Sequence, residues 1–393
     1  MVTANQSSEG IASFLSGKLA QVDVRKIETE LSRLWAQAGA PDDKEEHPQV
    51  IRACSGNLIL YTDREDAESV DSNMLDEVIL SHPSRAILAI CREAEQRKLE
   101  AWVTARCHLA TGGGAKQICS EQITVLAEGY ELENELISVI ESLVLGDLPV
   151  FLWWTAAHLS GDKLGPFLAC SRRLVVDSAR APYSFNYLRD LCSVAENTEG
   201  CVAVSDLNWR RLLGMRAAIA EEFEREPFNL AELRKIKKVT ISSCAQEFQN
   251  DDCSLQALLL TGWLSSRLGW EAVSFAKETG KGSVAKFQDR DALVELEFKS
   301  AAMTHVAAGS IFEIEIEIEA GKKLRISRDP AGEAGTLFVT VSQDGKRIRE
   351  LVADDSDMDR VHLMGYELEE MGADKIFIES LSSAVALLHL LEE

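Results

Sequence analysis

Nine cysteines, seven histidines and one glycine-rich segment are the parts of this sequence whose types and spacing suggest chemistry. The cysteines stand at 54, 91, 107, 119, 170, 192, 201, 244 and 253, with no CxxC pair and no histidines at zinc-finger spacing. In a reducing compartment most cysteines serve as small buried apolar residues. Two pairs, Cys192 with Cys201 and Cys244 with Cys253, share a nine-residue separation. Such a pair can form a disulfide only where a turn brings its Cα atoms within about 7 Å. These four are the redox candidates.

The other motifs argue against catalysis. Thr111-Gly-Gly-Gly-Ala-Lys116 invites a phosphate loop but lacks the GxxxxGK[ST] spacing, and Gln117 follows the lysine. It reads as a hairpin tip. No GxGxxG opens a helix after a strand, and neither GxSxG nor HExxH occurs. No catalytic, cofactor-binding or metal-binding residue is assigned. His158, just past a pair of tryptophans, could border a pocket, although a plain loop histidine suits it better.

What remains is a set of aromatic and arginine residues at strand ends. Trp153 and Trp154 close the run Pro149-Val-Phe-Leu-Trp-Trp-Thr155. Successive strand residues point to opposite faces, so the two indoles cannot enter one core. Ser171-Arg172-Arg173 opens the next strand, and Ser205-Asp206-Leu207-Asn208-Trp209-Arg210-Arg211 follows a later one. Exposed Trp and Arg dominate protein interfaces, which makes Trp153, Trp154, Arg172, Arg173, Asp206, Asn208, Trp209 and Arg210 the partner-binding candidates. The competing reading puts the indoles in the core and the charges in internal ion pairs.

The elements that must position these residues follow from periodicity. At 393 residues the chain exceeds one ordinary core, so two domains are expected. A helix over 25–38 and the charged segment Pro41 to Gln49 form an N-terminal part, 1–49. Residues 50–226 alternate short apolar runs with helical stripes, an α/β domain whose sheet is mixed but mostly parallel with flanking helices. Residues 227–393 string strands together and end in helices, an α+β domain with an antiparallel sheet. Within it, Ile311 to Ser327 alternates Ile and Glu before a basic strand. A turn at 320–322 would place Glu319 opposite Lys323 and Glu317 opposite Arg325, forming a solvated face of ion pairs.

A net charge of −23 disfavours nucleic acid and anionic membranes, both of which need clustered cations. No stretch approaches the ~20 apolar residues of a membrane span, and MVTANQSSEG lacks signal-peptide character, so a cytoplasmic location is expected.

PVFLWW, then SRRLVVDS, then SDLNWRRL resemble, in that order, the glucose-6-phosphate dehydrogenase assembly proteins known as OpcA. CSEQI (Cys119 to Ile123) resembles the cyanobacterial branch. The resemblance covers 57–216 closely and the remainder more loosely. It departs at Met215-Arg216, where the family pattern favours Trp-Arg. It implies a non-catalytic protein that binds glucose-6-phosphate dehydrogenase, stabilises its active oligomer and activates it allosterically in the oxidative pentose phosphate pathway. It further links cyanobacterial members to thioredoxin, for which Cys192/Cys201 or Cys244/Cys253 would be the switch. The residues alone leave a second class open, an orphan enzyme or small-ligand sensor with a pocket near Trp153, Trp154 and His158.

Overall fold

The structure is a computed structural model that describes residues 20–38, 49–64, 67–109, 116–129, 132–159, 163–181, 184–198, 200–245, 253–278, 282–328, 335–355 and 359–391. The TGGGAK segment lies outside the described residues except for Lys116. The chain divides into two compact units. The first comprises 1–176, 201–203 and 364–372, and the second 177–200, 204–363 and 373–393, so the expected 226/227 boundary falls inside the second unit. No helix among the described residues is long and apolar enough to cross a membrane.

The first unit is an α/β layer. Its strands are β1 (Ala20–Val22), β2 (Gln49–Arg52), β3 (Asn57–Thr62), β4 (Arg85–Arg92), β5 (Lys98–Leu109), β6 (Lys116–Glu128), β7 (Val150–Trp154) and β8 (Arg173–Val176). They run in the order β1-β5-β6-β4-β3-β7-β8, with β2 pairing β6. A short strand, β9 (Ala203–Asp206), begins in the first unit and continues in the second. Pairs β3–β4, β4–β6, β3–β7, β7–β8 and β2–β6 are parallel, whereas β5 lies antiparallel to both β1 and β6. Every residue of β3 and β7 is buried, the pattern of strands covered on both faces.

Neighbouring residues of β6 show the two layers. Gln122 donates to Ser72 Oγ (3.0 Å) on helix Ala67–Ser81. Glu121, pointing the opposite way, accepts from Trp35 Nε1 (2.8 Å) on helix Ile27–Ala38. Glu121 also pairs with Arg52 (2.8 Å) and with the buried Arg85, whose guanidinium reaches Glu28 and the Leu143 carbonyl.

The second unit holds an eight-stranded sheet: β10 (Ile236–Cys244), β11 (Glu271–Glu278), β12 (Gly282–Asp289), β13 (Ala292–Ala301), β14 (Ile311–Ile318), β15 (Lys322–Arg328), β16 (Thr336–Gln343) and β17 (Lys346–Asp354), in the order β11-β12-β13-β10-β14-β15-β16-β17. All neighbours are antiparallel except β10 and β13. Four strands, β10, β11, β12 and β17, go beyond the sequence expectation; β10 mixes Lys237, Lys238, Thr240 and Ser242 among its apolar residues. Val239, Ile241, Ile314, Ile316, Leu324, Ile326, Val339 and Val341 form one buried face. Helix Leu255–Leu268 is apolar nearly all round because it lies against β10 and also packs on helix Lys375–His389. Ser254 caps its N-terminus by accepting from Ala257 N (3.2 Å), and Gly269, at φ 69°, ends it in the left-handed conformation that glycine adopts at low cost.

The acidic ladder keeps its faces but not its expected register. Glu317, not Glu319, lies opposite Lys323, and Glu315 opposite Arg325. Ala320 and Gly321 both take positive φ (59° and 67°), which centres the turn one residue earlier. Lys323 lies 2.9 Å from Glu315 and 3.1 Å from Glu317, and Arg325 pairs with Glu313. Each such exposed pair contributes a few tenths to about 1 kcal/mol. Before this sheet the chain forms helix Leu213–Glu222.

Candidate functional site

The tandem tryptophans sit where the first sheet changes direction. From β3 the chain winds outward through β4 and β6, then returns to β7 and winds the other way through β8. At such a point the loops beyond the strand ends diverge and leave a crevice, the place where doubly wound sheets bind dinucleotides. Here that crevice is filled. Tyr61 and Trp154 are register partners at the ends of β3 and β7, and their rings stack at 4.0 Å with planes 8° apart. Phe167 sits 5.0 Å from Tyr61 and 6.0 Å from Trp154, edge-on to both. Trp154 Nε1 donates to His158 O (2.9 Å), and Thr155 N and Oγ1 both donate to Tyr61 O (2.9 and 3.0 Å). Burial drives the Tyr61 phenol far above its usual pKa. The sequence after β3 reads DREDAE, without the glycines of a dinucleotide-binding turn and rich in carboxylates.

Both indoles are therefore core. Trp153 is 0% and Trp154 3% exposed, each on its own side of a sheet covered on both faces. This corrects the expectation of an accessible pair of indoles.

Arg173 and Asp206 are buried too, for different reasons. On β8, Arg173 Nη1 donates to Glu367 (2.9 Å), and Nη2 donates to the carbonyls of Glu370 (2.9 Å) and Gly372 (2.6 Å). One guanidinium thus pins the last turn of a helix within the first unit. In the second unit, Asp206 accepts from Ser178 N (2.9 Å), Ser178 Oγ (2.5 Å) and Asn208 N (2.9 Å), while Asn208 Nδ2 donates to Ser178 Oγ (3.0 Å). Burial pushes Asp206 up to about 6, the Asp177 charge adds to the rise, and the Ser178 and Asn208 bonds oppose it. Asp177 has the stronger partners. Arg211 grips it with both Nη atoms (2.6 and 3.0 Å) and Arg360 adds a contact at 3.1 Å. Burial alone would raise Asp177; these arginines more than offset it and hold the carboxyl below its usual range.

Trp209 is 4% exposed, donates Nε1 to Asp374 Oδ2 (2.8 Å) and carries the Arg216 guanidinium 3.5 Å above its ring. Of the eight candidates, then, Trp153, Trp154, Arg173, Asp206, Asn208 and Trp209 are internal, and in this conformation they support the fold rather than present a surface. Arg172 is exposed and Arg210 half-buried.

The disulfide falls on a cysteine pair that the nine-residue spacing did not name. Cys107 and Cys119 form the disulfide, with Cα atoms 4.1 Å apart, because antiparallel β5 and β6 place them directly opposite. Their numbers are symmetric about Gly113 in the TGGGAK segment, a signal the nine-residue rule missed. Cys192, Cys201, Cys244 and Cys253 are in no disulfide. Cys192 lies buried on helix Ser184–Asn197, where burial and the neighbouring Glu196 push its thiol up to about 11. Cys244 ends β10 and its thiol faces the Met303 carbonyl (3.6 Å).

Two family signatures cover most of the chain. That of the glucose-6-phosphate dehydrogenase subunit N-terminal domain matches residues 76–193, and that of the corresponding C-terminal domain matches 202–381. The chain belongs to the OpcA family of glucose-6-phosphate dehydrogenase subunits. It is 29% identical over 321 residues to the OpcA protein of Nostoc punctiforme, named for the OxPP cycle, covering 78% of this chain and 65% of that one. Its identity to the Synechocystis OpcA is 27% over 335 residues, covering 81% and 66%. The chain thus spans about two thirds of the length of these relatives. Among solved structures it resembles glucose-6-phosphate 1-dehydrogenase of Mycobacterium avium, with TM-score 0.50, 8% identity and coverage of 85% and 91%. At that identity the likeness is one of fold. This OpcA-family member therefore has a doubly wound fold whose strand ends at the point of reversal are covered by its own Tyr61, Trp154 and Phe167.

Proposed function

We propose that this chain is a non-catalytic subunit that binds glucose-6-phosphate dehydrogenase, stabilises its active oligomer and activates it allosterically in the oxidative pentose phosphate pathway. The aromatic stack carries the reading: Tyr61, Trp154 and Phe167 pack over the strand ends where a doubly wound sheet holds a dinucleotide, and the sequence after β3 is acidic and lacks glycine. An activator acts by binding one state of its partner more tightly, with coupling of roughly 1–3 kcal/mol, or about 5- to 150-fold in substrate affinity. Substrate must tighten the complex by the same factor.

In this reading thioredoxin acts on Cys107–Cys119. A reductant dithiol attacks the half-buried Cys107 sulfur; its two electrons break the S–S bond, leave two protein thiols and convert the reductant to its disulfide. Cys119 lies two residues before Glu121, so opening the bridge loosens the strand that carries the Trp35, Arg52 and Arg85 contacts.

The test is steady-state kinetics of purified dehydrogenase with and without this chain, before and after reduction, together with NADP binding to the chain alone. The expected result is a lower substrate KM with the chain present, a shift on reduction that Cys107→Ser reproduces, and no NADP binding. Unchanged kinetics and oligomer size at micromolar chain would refute the reading; saturable NADP binding would refute the closed crevice.

A further inference from the structure

The second sheet has one covered face and one open face. On the covered side, helix Leu255–Leu268 lies against β10, and Glu222 of helix Leu213–Glu222 reaches Arg349, the register partner of buried Val341. The other side carries Glu313, Glu315 and Glu317 on β14 beside Lys323 and Arg325 on β15. The side chains of Glu317, Lys323 and Arg325 stay 43%, 37% and 55% exposed although each is in an ion pair.

The charges on this open face are arranged to match a second copy of themselves. Register places Thr240, Glu315, Arg325 and Thr340 in one row across the sheet, and Lys238, Glu317, Lys323 and Ser342 in the next. In both rows the acid sits on β14 and the base on β15. Consider a half-turn about an axis lying on the face, parallel to the strands and midway between β14 and β15. It sets β14 of one copy over β15 of the other at equal height. Glu315 then meets Arg325 of the second copy, Glu317 meets its Lys323, and both contacts recur across the axis. Thr240 falls over Thr340. A half-turn about an axis across the strands would instead set acid over acid, so the pattern selects one arrangement.

The groups have capacity for these contacts. Arg325 holds Glu313 through Nε and Nη2, which leaves the N–H groups of Nη1, and a carboxylate accepts more than one bond. Size fits too. Eight strands of seven residues or more, about 4.8 Å apart and rising ~3.3 Å per residue, span roughly 800 Å². A stable interface takes about that area from each partner. Stacked sheets cross at about 30°, so the match is closest near the axis, where these charges lie.

We infer that the open face of the second sheet is a two-fold interface between two copies of this chain, with its axis between β14 and β15. The charge rows add little to affinity while exposed. They fix partner and register because any other stacking brings like charges together. This association needs no dehydrogenase, so the chain alone tests it.

Sedimentation equilibrium of the full chain across micromolar concentrations reads the association, and wild type is expected to dimerise. Arg325→Glu sets acid on acid at both contacts, and Glu315→Arg sets base on base. Each variant alone should weaken the dimer by at least about tenfold. Mixed together, the two restore opposite charges at both contacts, and the mixture should dimerise like wild type. A misfolded variant could not give that rescue. Lys323→Glu and Glu317→Lys repeat the exchange in the next row should either first variant fail to fold. A monomeric wild type, single variants that dimerise normally, or a mixture without rescue would each overturn the inference. A monomeric wild type whose dehydrogenase binding is lost in Arg325→Glu would give this face to the dehydrogenase, overturning the dimer and leaving the proposed function intact.

Discussion

Gly262→Ala offers a sharp check on how the second unit is held together, because two ordinary rules predict opposite signs. An alanine in a helix interior normally gains up to about 1 kcal/mol over glycine. Here a Cβ at 262 would stand 2.0 Å from Ser380 O and 3.0 Å from both the Ser380 carbonyl carbon and Ala384 N. All three are backbone atoms, so no side-chain rotation relieves the clash. Ordinary contact requires helices Leu255–Leu268 and Lys375–His389 to part by on the order of 1 Å, which loosens the packing of Leu258, Leu259, Leu381 and Leu388 in their shared core. Overpacking costs about 1–3 kcal/mol and occasionally more, and a clash of backbone on backbone belongs at the upper end. The clash therefore outweighs the propensity gain, for a net loss of roughly 2 kcal/mol. At roughly 2–4 °C per kcal/mol for a domain of this size, Tm should fall by about 4–8 °C. Differential scanning calorimetry reads this directly. A variant as stable as wild type, or more so, would mean that the helices do not cross through Gly262.

Asp206→Asn tests the buried carboxylate. Its folded pKa of about 6 exceeds an unfolded value of about 3.9, so its favourable contribution is present below the unfolded pKa and lost as pH rises through 6. Wild type should lose roughly 2 kcal/mol from this group between pH 4 and 7, a slope absent from the variant; denaturant titrations with parallel pH profiles would refute the assignment. Trp154→Ala should cost about 3–5 kcal/mol by emptying the stack with Tyr61, whereas Arg172→Ala should stay within about 0.5 kcal/mol. Equal effects in thermal unfolding would contradict their different burial.

Local pattern alone determined much of this protein. The apolar runs at 57–62 and 150–154, the helical stripe at 133–143 and the Ile/Glu alternation at 311–318 each follow from a period set by backbone geometry, and they specify an α/β layer followed by an antiparallel sheet. The motifs PVFLWW, SRRLVVDS and SDLNWRRL were likewise legible, and so was the family they belong to.

Tertiary structure decided what those motif residues do. A strand sequence does not reveal whether one or both of its faces are covered, so Trp153 and Trp154 looked available until helices were seen on both sides. Nor does spacing reveal strand register, which brought Cys107 to Cys119 and left the nine-residue pairs outside any disulfide. Arg173 meets Glu367, and Trp209 meets Asp374 and Arg216, through contacts that mostly span well over a hundred residues. Burial and pairing of charge are properties of such distant neighbours, and no local period encodes them.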